Sequence, residues 1–189
     1  MDHTFSAFPA EKLLLRSLFH CSPGEWGVEV GCLLGSTTVD LALTARTARK
    51  KLLCVDPWDG SQDGSGEENY RRFLDNTREF ADHVRVARGR SAEVELPPGV
   101  GFVFVDGDHS PAGCLADLER FWGVLLPGGT LAVHDAFDRG WGPGIRSAID
   151  EFADHRRPIT ATHSVYYPTP AEEREHAHGV SGLTIFTKH

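Results

Sequence analysis

The chain has 189 residues, 40% of them hydrophobic, which is the size of one domain and enough apolar material for a buried core. This excludes a disordered tail and a disulfide-stapled mini-protein. Lysines and arginines number 19 against 27 aspartates and glutamates, a net charge of −8, and the basic residues form short pairs and triplets rather than a stripe. That balance argues against a protein that binds duplex nucleic acid through its phosphates.

Helical and strand-like patterns alternate along the chain. A leading segment, residues 8–20, has Leu13, Leu14 and Leu18 at helical spacing. Five β-like runs follow at residues 27–31, 52–56, 84–87, 101–106 and 130–134. Helical candidates lie between and after them at residues 37–47, 67–83, 113–125 and 145–155. Nearly continuous apolar strands that alternate with helices predict a mostly parallel sheet covered on both faces, a three-layer α/β/α arrangement.

The C-terminal part departs from this alternation. Residues 159–167 and 182–188 have the pattern of two strands with no helix between them, so we expect them to pair antiparallel at one edge of the sheet. The segment between them, 168–181, and the Gly- and Ser-rich segment 59–66 are predicted to be long loops. We expect a single domain with an N-terminal helical segment (1–24), a core (25–158) and a C-terminal strand pair (159–189).

A glycine-containing turn follows the first predicted strand. In open α/β sheets, ligands bind beyond the carboxyl ends of the strands, and Gly31 and Gly35 would let the backbone turn tightly there. Ser36 or Thr37 could cap the next helix. Asp56 ends the second strand about 20 residues later, the separation at which an acid accepts hydrogen bonds from ribose hydroxyls. The pattern predicts a nucleotide-binding edge of the sheet.

The spacing of the glycines selects between ligands. A dinucleotide pyrophosphate needs a GxGxxG turn, whereas this chain has Glu29-Val-Gly31 followed by Gly35. An ExGxxxG loop with an acid after the second strand resembles the nucleoside site of class I S-adenosylmethionine-dependent methyltransferases. Further motifs follow in an order and spacing similar to those of a family of small class I methyltransferases: Val105-Asp-Gly-Asp-His-Ser110, Leu126-Pro-Gly-Gly129, Val133-His-Asp135 and Gly144-Ile145.

That family is related to the metal-dependent sugar O-methyltransferases of macrolide and aminocoumarin biosynthesis. The resemblance implies a Rossmann-like, seven-stranded and mostly parallel sheet whose last strand is antiparallel. It also implies S-adenosylmethionine as the cofactor, at positions matching Glu29, Gly31, Gly35, Ser36, Asp56, Trp58, Ser91 and Asp106. In this assignment Asp56 binds the ribose. Trp58 covers an adenine face or packs in the core, and Ser91 lies near the adenine or is an ordinary turn serine.

A divalent cation and a base are implied by the same resemblance. Asp106 and Asp135 end two strands and, if those strands are neighbours, converge as hard ligands for Mg²⁺ or a similar cation. The relatives have an acidic pair where this chain has His134-Asp135, so a cation-free enzyme is the alternative. His134 and Asp135 are adjacent, so both side chains can face one ion only if the strand ends before them. Methyl transfer to a hydroxyl needs a base, for which His109 is the first candidate and Asp108 the second.

The expected function is methyl transfer to a small hydroxylated molecule. Two other classes stay open, an NAD-dependent oxidoreductase, which shares the acid at Asp56 but not the glycine turn, and a nucleoside-binding module without catalysis. The acceptor pocket is expected from the N-terminal segment and loops 59–66 and 168–181, or from a second subunit in a homo-oligomer. No nucleic-acid or membrane partner is expected.

The remaining expectations concern the cysteines and the compartment. Cys21, Cys32, Cys54 and Cys114 form no CxxC pair, which disfavours a disulfide framework and a thiolate zinc site, so all four are predicted to be small buried residues. No apolar run has the length of a bilayer span, and the N-terminus lacks a signal-peptide pattern. These features predict a cytoplasmic protein.

Overall fold

The computed structural model describes residues 7–60, 65–137, 142–154, 156–166 and 178–189. The elements in chain order are α1 (Pro9–Cys21), β1 (Trp26–Val30), α2 (Ser36–Ala48), β2 (Lys51–Asp56), α3 (Gly66–Thr77), a short 3₁₀ turn (Arg78–Phe80), β3 (Val84–Arg88), β4 (Val100–Val105), α4 (Pro111–Val124), β5 (Leu125–Val133), α5 (Gly142–Phe152), β6 (Ile159–Tyr166) and β7 (His178–Thr187). Among the helices of these described ranges, none has the length and apolar character needed to cross a membrane.

All seven of these strands form one sheet in the order β3-β2-β1-β4-β5-β7-β6. The pairs from β3 through β5 are parallel, and β7 runs antiparallel to both β5 and β6. The predicted Rossmann-like sheet with an antiparallel last strand is therefore confirmed. The direction in which the chain adds strands reverses at β1, which leaves a crevice beyond the carboxyl ends of β1 and β4.

Helices cover both faces of the sheet. On one face, α4 and α5 contribute Phe121 and Phe152 to the core. On the other face, α1 and α3 contribute Leu15, Phe19 and Phe73, next to residues of α2. All five side chains are fully buried. The central strands β1 and β4 are thus buried on both faces of the sheet.

One of the three leucines with helical spacing in α1 does not face the core. Leu13 is 65% exposed, whereas Leu15 and Phe19 are fully buried. The ring of Phe19 lies where a Cβ on Gly27 of β1 would be, so the helix approaches the strand closely at that glycine. Leu14 and Leu18 are partly buried and pack against the core, so the apolar spacing predicted the helix correctly.

Two local predictions are also wrong. The predicted helix 67–83 ends at Thr77, where the 3₁₀ turn begins. Neither Ser36 nor Thr37 caps α2, since the N-cap is Gly35 and no side chain accepts a bond at that helix start. Gly35 has φ of 81°, a left-handed conformation that glycine adopts without strain.

Candidate functional site

Four parallel strands end at the same level. Backbone pairing places Val30 of β1 opposite both Val55 of β2 and Val105 of β4, and it places Val105 opposite Val133 of β5. The residues that come next therefore form a row along the carboxyl edge of the sheet: Gly31, Asp56, Asp106 and His134. The predicted cofactor and cation positions thus share this edge.

The loop after β1 lies against the end of β4. Gly31 has φ of 83°, and a Cβ there would overlap the carbonyl oxygen of Asp106. Only glycine fits such a close backbone approach. Further along the loop, Lys12 of α1 donates hydrogen bonds from Nζ to Oγ and to the carbonyl oxygen of Ser36, at 2.9 and 3.0 Å. Ser36 is therefore fixed by the N-terminal helix rather than serving as a helix cap.

Asp56 holds the glycine loop in place. Its Oδ2 accepts hydrogen bonds from the backbone N–H groups of Cys32 and Leu33 at 2.9 and 3.0 Å, and its Oδ1 accepts from the N–H of Trp58 at 2.8 Å. An ionised carboxylate has about four acceptor positions, so one remains for a ribose hydroxyl. The ribose contact remains a prediction. The sequence did not reveal the loop-holding role, because it depends on where the two loops meet.

Trp58 lies inside the protein. It is 4% exposed, its ring packs against Tyr70 and Phe73 with centroids 4.9 and 4.8 Å away, and its Nε1 donates to the carbonyl oxygen of Leu33 at 2.8 Å. This placement corresponds to the packing alternative. The ring supports the glycine loop through Leu33. At 4% exposure it offers no open face to an adenine in the described part of the chain.

Glu29 is the buried acid of the loop motif. It is 1% exposed, and its Oε2 has no hydrogen-bond partner among the described residues. Burial raises the pKa of Glu29 to about 8, with the neighbouring Thr38 hydroxyl acting in the opposite direction. Buried polar atoms are normally paired. This oxygen is therefore suited to a ligand that brings a cation or a hydrogen-bond donor to the end of β1.

Ser91 has a partner that the sequence did not suggest. Its hydroxyl donates to Asp117 of α4, which is 5% exposed. Burial raises the pKa of Asp117 to about 6, although the bond from Ser91 opposes this shift. Ser91 is thus fixed at the end of β3 by a buried acid, and its contact with an adenine remains a prediction.

Two aspartates and two histidines meet beyond β4 and β5, and we call them the Asp-His cluster. Nδ1 of His134 lies 3.3 Å from Oδ1 of Asp106 and 3.0 Å from Oδ1 of Asp135. Nε2 of His109 lies 3.4 Å from Oδ2 of Asp135 and 3.8 Å from Oδ1 of Asp106. One ligand atom each from Asp106, His134 and Asp135 lies within 4.8 Å of the others. The three predicted cation ligands are therefore brought together.

The backbone turn after β5 makes this convergence possible. β5 ends at Val133, and Asp135 has φ of 56°, in the left-handed region. Aspartate is one of the few residues that enter this region at modest cost. Because His134 and Asp135 follow the extended strand instead of belonging to it, both side chains can face Asp106.

Electrostatic coupling holds the Asp-His cluster together. Burial alone would lower the pKa of both histidines, but Asp106 raises the pKa of His109 and raises that of His134 well above its usual range. Burial would raise the pKa of Asp106, yet His134 and His109 hold it below its ordinary value. The carboxylates therefore attract positive charge to this point of the sheet edge.

Glu11 is a member of the site that the sequence did not identify. It lies in the first turn of α1 and is 3% exposed. Its Oε2 accepts the backbone N–H of Phe8 at 2.7 Å and lies 3.1 Å from Nε2 of His134. In the sequence Glu11 has the pattern of an ordinary acid at a helix start, and only the fold brings it to His134.

Asp108 does not join the Asp-His cluster. It is exposed, and its Oδ1 accepts the N–H of Ser110 at 2.8 Å at the beginning of α4. Ser110 caps that helix by accepting the N–H of Gly113 at 3.1 Å. Of the two predicted bases, only His109 lies beside the carboxylates.

A family model for a methyltransferase domain matches residues 28–136, which contain the loop, Asp56 and the Asp-His cluster. The chain belongs to this methyltransferase family. The predicted membership of the methyltransferases and the predicted enzyme class are confirmed.

Solved structures share the fold of this methyltransferase. An O-methyltransferase from Bacillus cereus in complex with SAH superposes with a TM-score of 0.70 at 16% identity, covering 98% of this chain and 84% of the other. The O-methyltransferase TomG from Streptomyces achromogenes is involved in tomaymycin synthesis, and its structure is in complex with SAM. It superposes with a TM-score of 0.63 at 17% identity, covering 100% of this chain and 84% of the other. The N-methyltransferase NodS from Bradyrhizobium japonicum superposes with a TM-score of 0.64 at 17% identity, covering 95% of this chain and 94% of the other. The fold therefore serves both oxygen and nitrogen acceptors.

The methyltransferase has four free cysteines. Cys32, Cys54 and Cys114 are buried as predicted, but Cys21, the last residue of α1, is exposed. Cys32 and Cys54 lie beside Glu29, where all three could reach one ion. Burial raises the pKa of both thiols, which disfavours the thiolate that a metal needs. The Asp-His cluster is the better cation site.

Parts of the predicted acceptor loops lie outside the described residues. These parts are residues 61–64 of the first loop and residues 167–177 around the second. Their contribution to an acceptor pocket remains a prediction for this methyltransferase.

Proposed function

We propose that this methyltransferase transfers a methyl group from S-adenosylmethionine to a hydroxyl of a small molecule, with a divalent cation bound by Asp106, His134 and Asp135. The observation that carries the proposal is the convergence of the Asp-His cluster at the sheet edge that also holds the glycine loop. A cation site there would lie beside the cofactor.

The buried acids fit S-adenosylmethionine better than a phosphate ligand. The cofactor carries an ammonium and a sulfonium. Oε2 of Glu29, which has no partner in the part of the chain that the structure describes, can pair with one such positive group. The free acceptor position on Asp56 suits a ribose hydroxyl. The relatives from Bacillus cereus and Streptomyces achromogenes, in complex with SAH and SAM, support this choice.

The Asp-His cluster also fits a divalent cation. Asp106 and Asp135 offer carboxylate oxygens, and Nδ1 of His134 is a buried nitrogen without a hydrogen-bond partner among the described residues. A cation bound there would polarise the acceptor hydroxyl and help to orient it.

His109 is placed to accept the proton of the acceptor hydroxyl. Its side chain is 20% exposed, and Asp135, whose Oδ2 lies 3.4 Å from Nε2, orients the ring. As the new C–O bond forms, the S–CH₃ bond breaks and its electron pair stays on sulfur. The hydroxyl proton moves to His109 and then to water, which leaves a methyl ether and S-adenosylhomocysteine.

The experiment is a transfer assay with methyl-labelled S-adenosylmethionine and a panel of phenols, catechols and sugars. We expect labelled methyl ethers, loss of product after EDTA treatment, and recovery on adding a divalent cation. Binding of S-adenosylhomocysteine without transfer to any acceptor would contradict the enzymatic proposal. Transfer only to amines would contradict O-methylation, and full activity after EDTA would remove the cation from it.

A further inference from the structure

We propose that the Asp-His cluster is built for a first-row transition metal that prefers nitrogen ligands, and that Glu11 is the positioning residue that directs His134 toward it. This inference rests on the proposed function, because it concerns the same cation site. To the proposed cation site it adds Glu11 from the N-terminal helix, and it specifies the kind of metal that the site binds.

The argument begins with the buried pair formed by Glu11 and His134. The side chains are 3% and 7% exposed, and Oε2 of Glu11 lies 3.1 Å from Nε2 of His134. Glu11 is itself fixed, because it accepts the N–H of Phe8 at 2.7 Å. The carboxylate therefore holds one ring nitrogen and sets the orientation of the imidazole.

The other ring nitrogen is directed into the cluster. Nδ1 of His134 approaches Asp135 to 3.0 Å and Asp106 to 3.3 Å, yet it makes no hydrogen bond of acceptable geometry among the described residues. Donor atoms that surround one ion with bonds of about 2.1 Å are separated by about 3.0–3.4 Å. The two distances from Nδ1 of His134 to the carboxylates fall in this range, and all three atoms lie within 4.8 Å of one another, close enough to share an ion.

The arrangement has the form of a carboxylate–histidine–metal triad. In such triads the histidine donates its second N–H to a carboxylate, which fixes the ring orientation and strengthens the nitrogen as a ligand. Glu11 is in the position of that carboxylate. Loss of such a partner typically lowers metal affinity by about 10–100-fold.

Nitrogen ligation determines the kind of metal. Mg²⁺ favours octahedral oxygen ligands, whereas imidazole suits Zn²⁺, Fe²⁺ and their neighbours. Here His134 offers a nitrogen beside the carboxylate oxygens of Asp106 and Asp135. The cluster should therefore bind Co²⁺ or Zn²⁺ more tightly than Mg²⁺.

Helix α1 connects the cation site with the cofactor loop. Glu11 contacts His134, and the next residue, Lys12, donates to Ser36, which begins α2 directly after the glycine loop. Neutralising Glu11 should change metal binding but leave the Lys12 contact intact. Affinity for S-adenosylhomocysteine therefore serves as an internal reference.

The test is calorimetric titration of the metal-free protein with Co²⁺, Zn²⁺ and Mg²⁺, together with the visible absorption of bound Co²⁺. We expect Co²⁺ and Zn²⁺ to bind at least tenfold more tightly than Mg²⁺. Glu11→Gln should weaken Co²⁺ binding about 10–100-fold and alter its absorption bands. His134→Asp should shift the preference toward Mg²⁺. The matched control is Glu25→Gln, because Glu25 is exposed and should leave both readouts unchanged.

Several results would overturn the inference. One is that Mg²⁺ binds as tightly as Co²⁺ and Zn²⁺ or more tightly. A second is that the absorption spectrum of bound Co²⁺ is the same in wild type, Glu11→Gln and His134→Asp. A third is that none of the three metals binds. If S-adenosylhomocysteine still binds and methyl transfer continues in those cases, the proposed methyl transfer stands and this inference fails. Binding of none of the three metals would also remove the cation from the proposed function. If the cofactor does not bind either, the proposed function fails with it. Glu11→Gln retains the shape of the side chain, so it serves even if His134→Asp does not fold.

Discussion

Removing the carboxylate of Asp56 should weaken both the fold and cofactor binding. Three backbone N–H groups, of Cys32, Leu33 and Trp58, donate to it at 2.9, 3.0 and 2.8 Å. A buried bond to a charged acceptor contributes about 1.5–3 kcal/mol, and in this half-buried place water replaces part of that. We expect Asp56→Ala to lower the free energy of unfolding by roughly 3 kcal/mol. Asp56→Asn keeps one acceptor oxygen and should lose about half as much.

Cofactor binding should fall with the same substitutions, because the loop and the ribose contact depend on one carboxylate. We expect calorimetry with S-adenosylhomocysteine to show at least a tenfold loss, which is about 1.4 kcal/mol. Urea unfolding measures the stability change on the same preparations. The control is Asp59→Ala, whose exposed ion pair with Arg90 at 2.8 Å should contribute less than about 1 kcal/mol.

The two measurements separate the two roles of Asp56. An unfolding free energy within about 0.5 kcal/mol of wild type, combined with lost affinity, would refute the loop-holding role. Lost stability with unchanged affinity would refute the ribose contact.

Three further predictions concern the base, a buried acid and a glycine. His109→Ala should lower turnover by about 10²-fold with little change in S-adenosylhomocysteine affinity, whereas Asp108→Ala should remain near normal; the reverse result would move the role to Asp108. The folded pKa of Asp117, about 6, exceeds its ordinary value of 3.8, so its contribution to stability is complete below pH 4 and is lost as the pH rises through 6. Urea unfolding of Asp117→Asn should lack that decline, about 2–3 kcal/mol, and a decline equal to that of wild type would contradict the shift. Gly99→Ala should lower the free energy of unfolding by about 1 kcal/mol, and Gly31→Ala should lower it by more. Both glycines have positive φ, but of the two only Gly31 meets the backbone of Asp106. Equal losses in the two variants would contradict the close approach.

Much of the site could be predicted because it lies at strand ends. Asp56, Asp106 and Asp135 each follow an apolar run, and parallel strands bring such positions to one edge. For Trp58 the sequence leaves two roles open, because its sequence context does not distinguish a ligand contact from packing. The structure places it against Tyr70 and Phe73, a choice that depends on where α3 lies.

The alternation of strands and helices, the row of acids and the family can be read from the amino-acid sequence, since these depend on periodicity and on motifs within short segments. The groups that meet across long separations become visible in the folded chain. Glu11 reaches His134 over 123 positions and Ser91 reaches Asp117 over 26, and no local pattern encodes either contact. The reason is physical: a side chain's propensity acts over a few residues, whereas its partner is set by how α1 and α4 pack on the finished sheet.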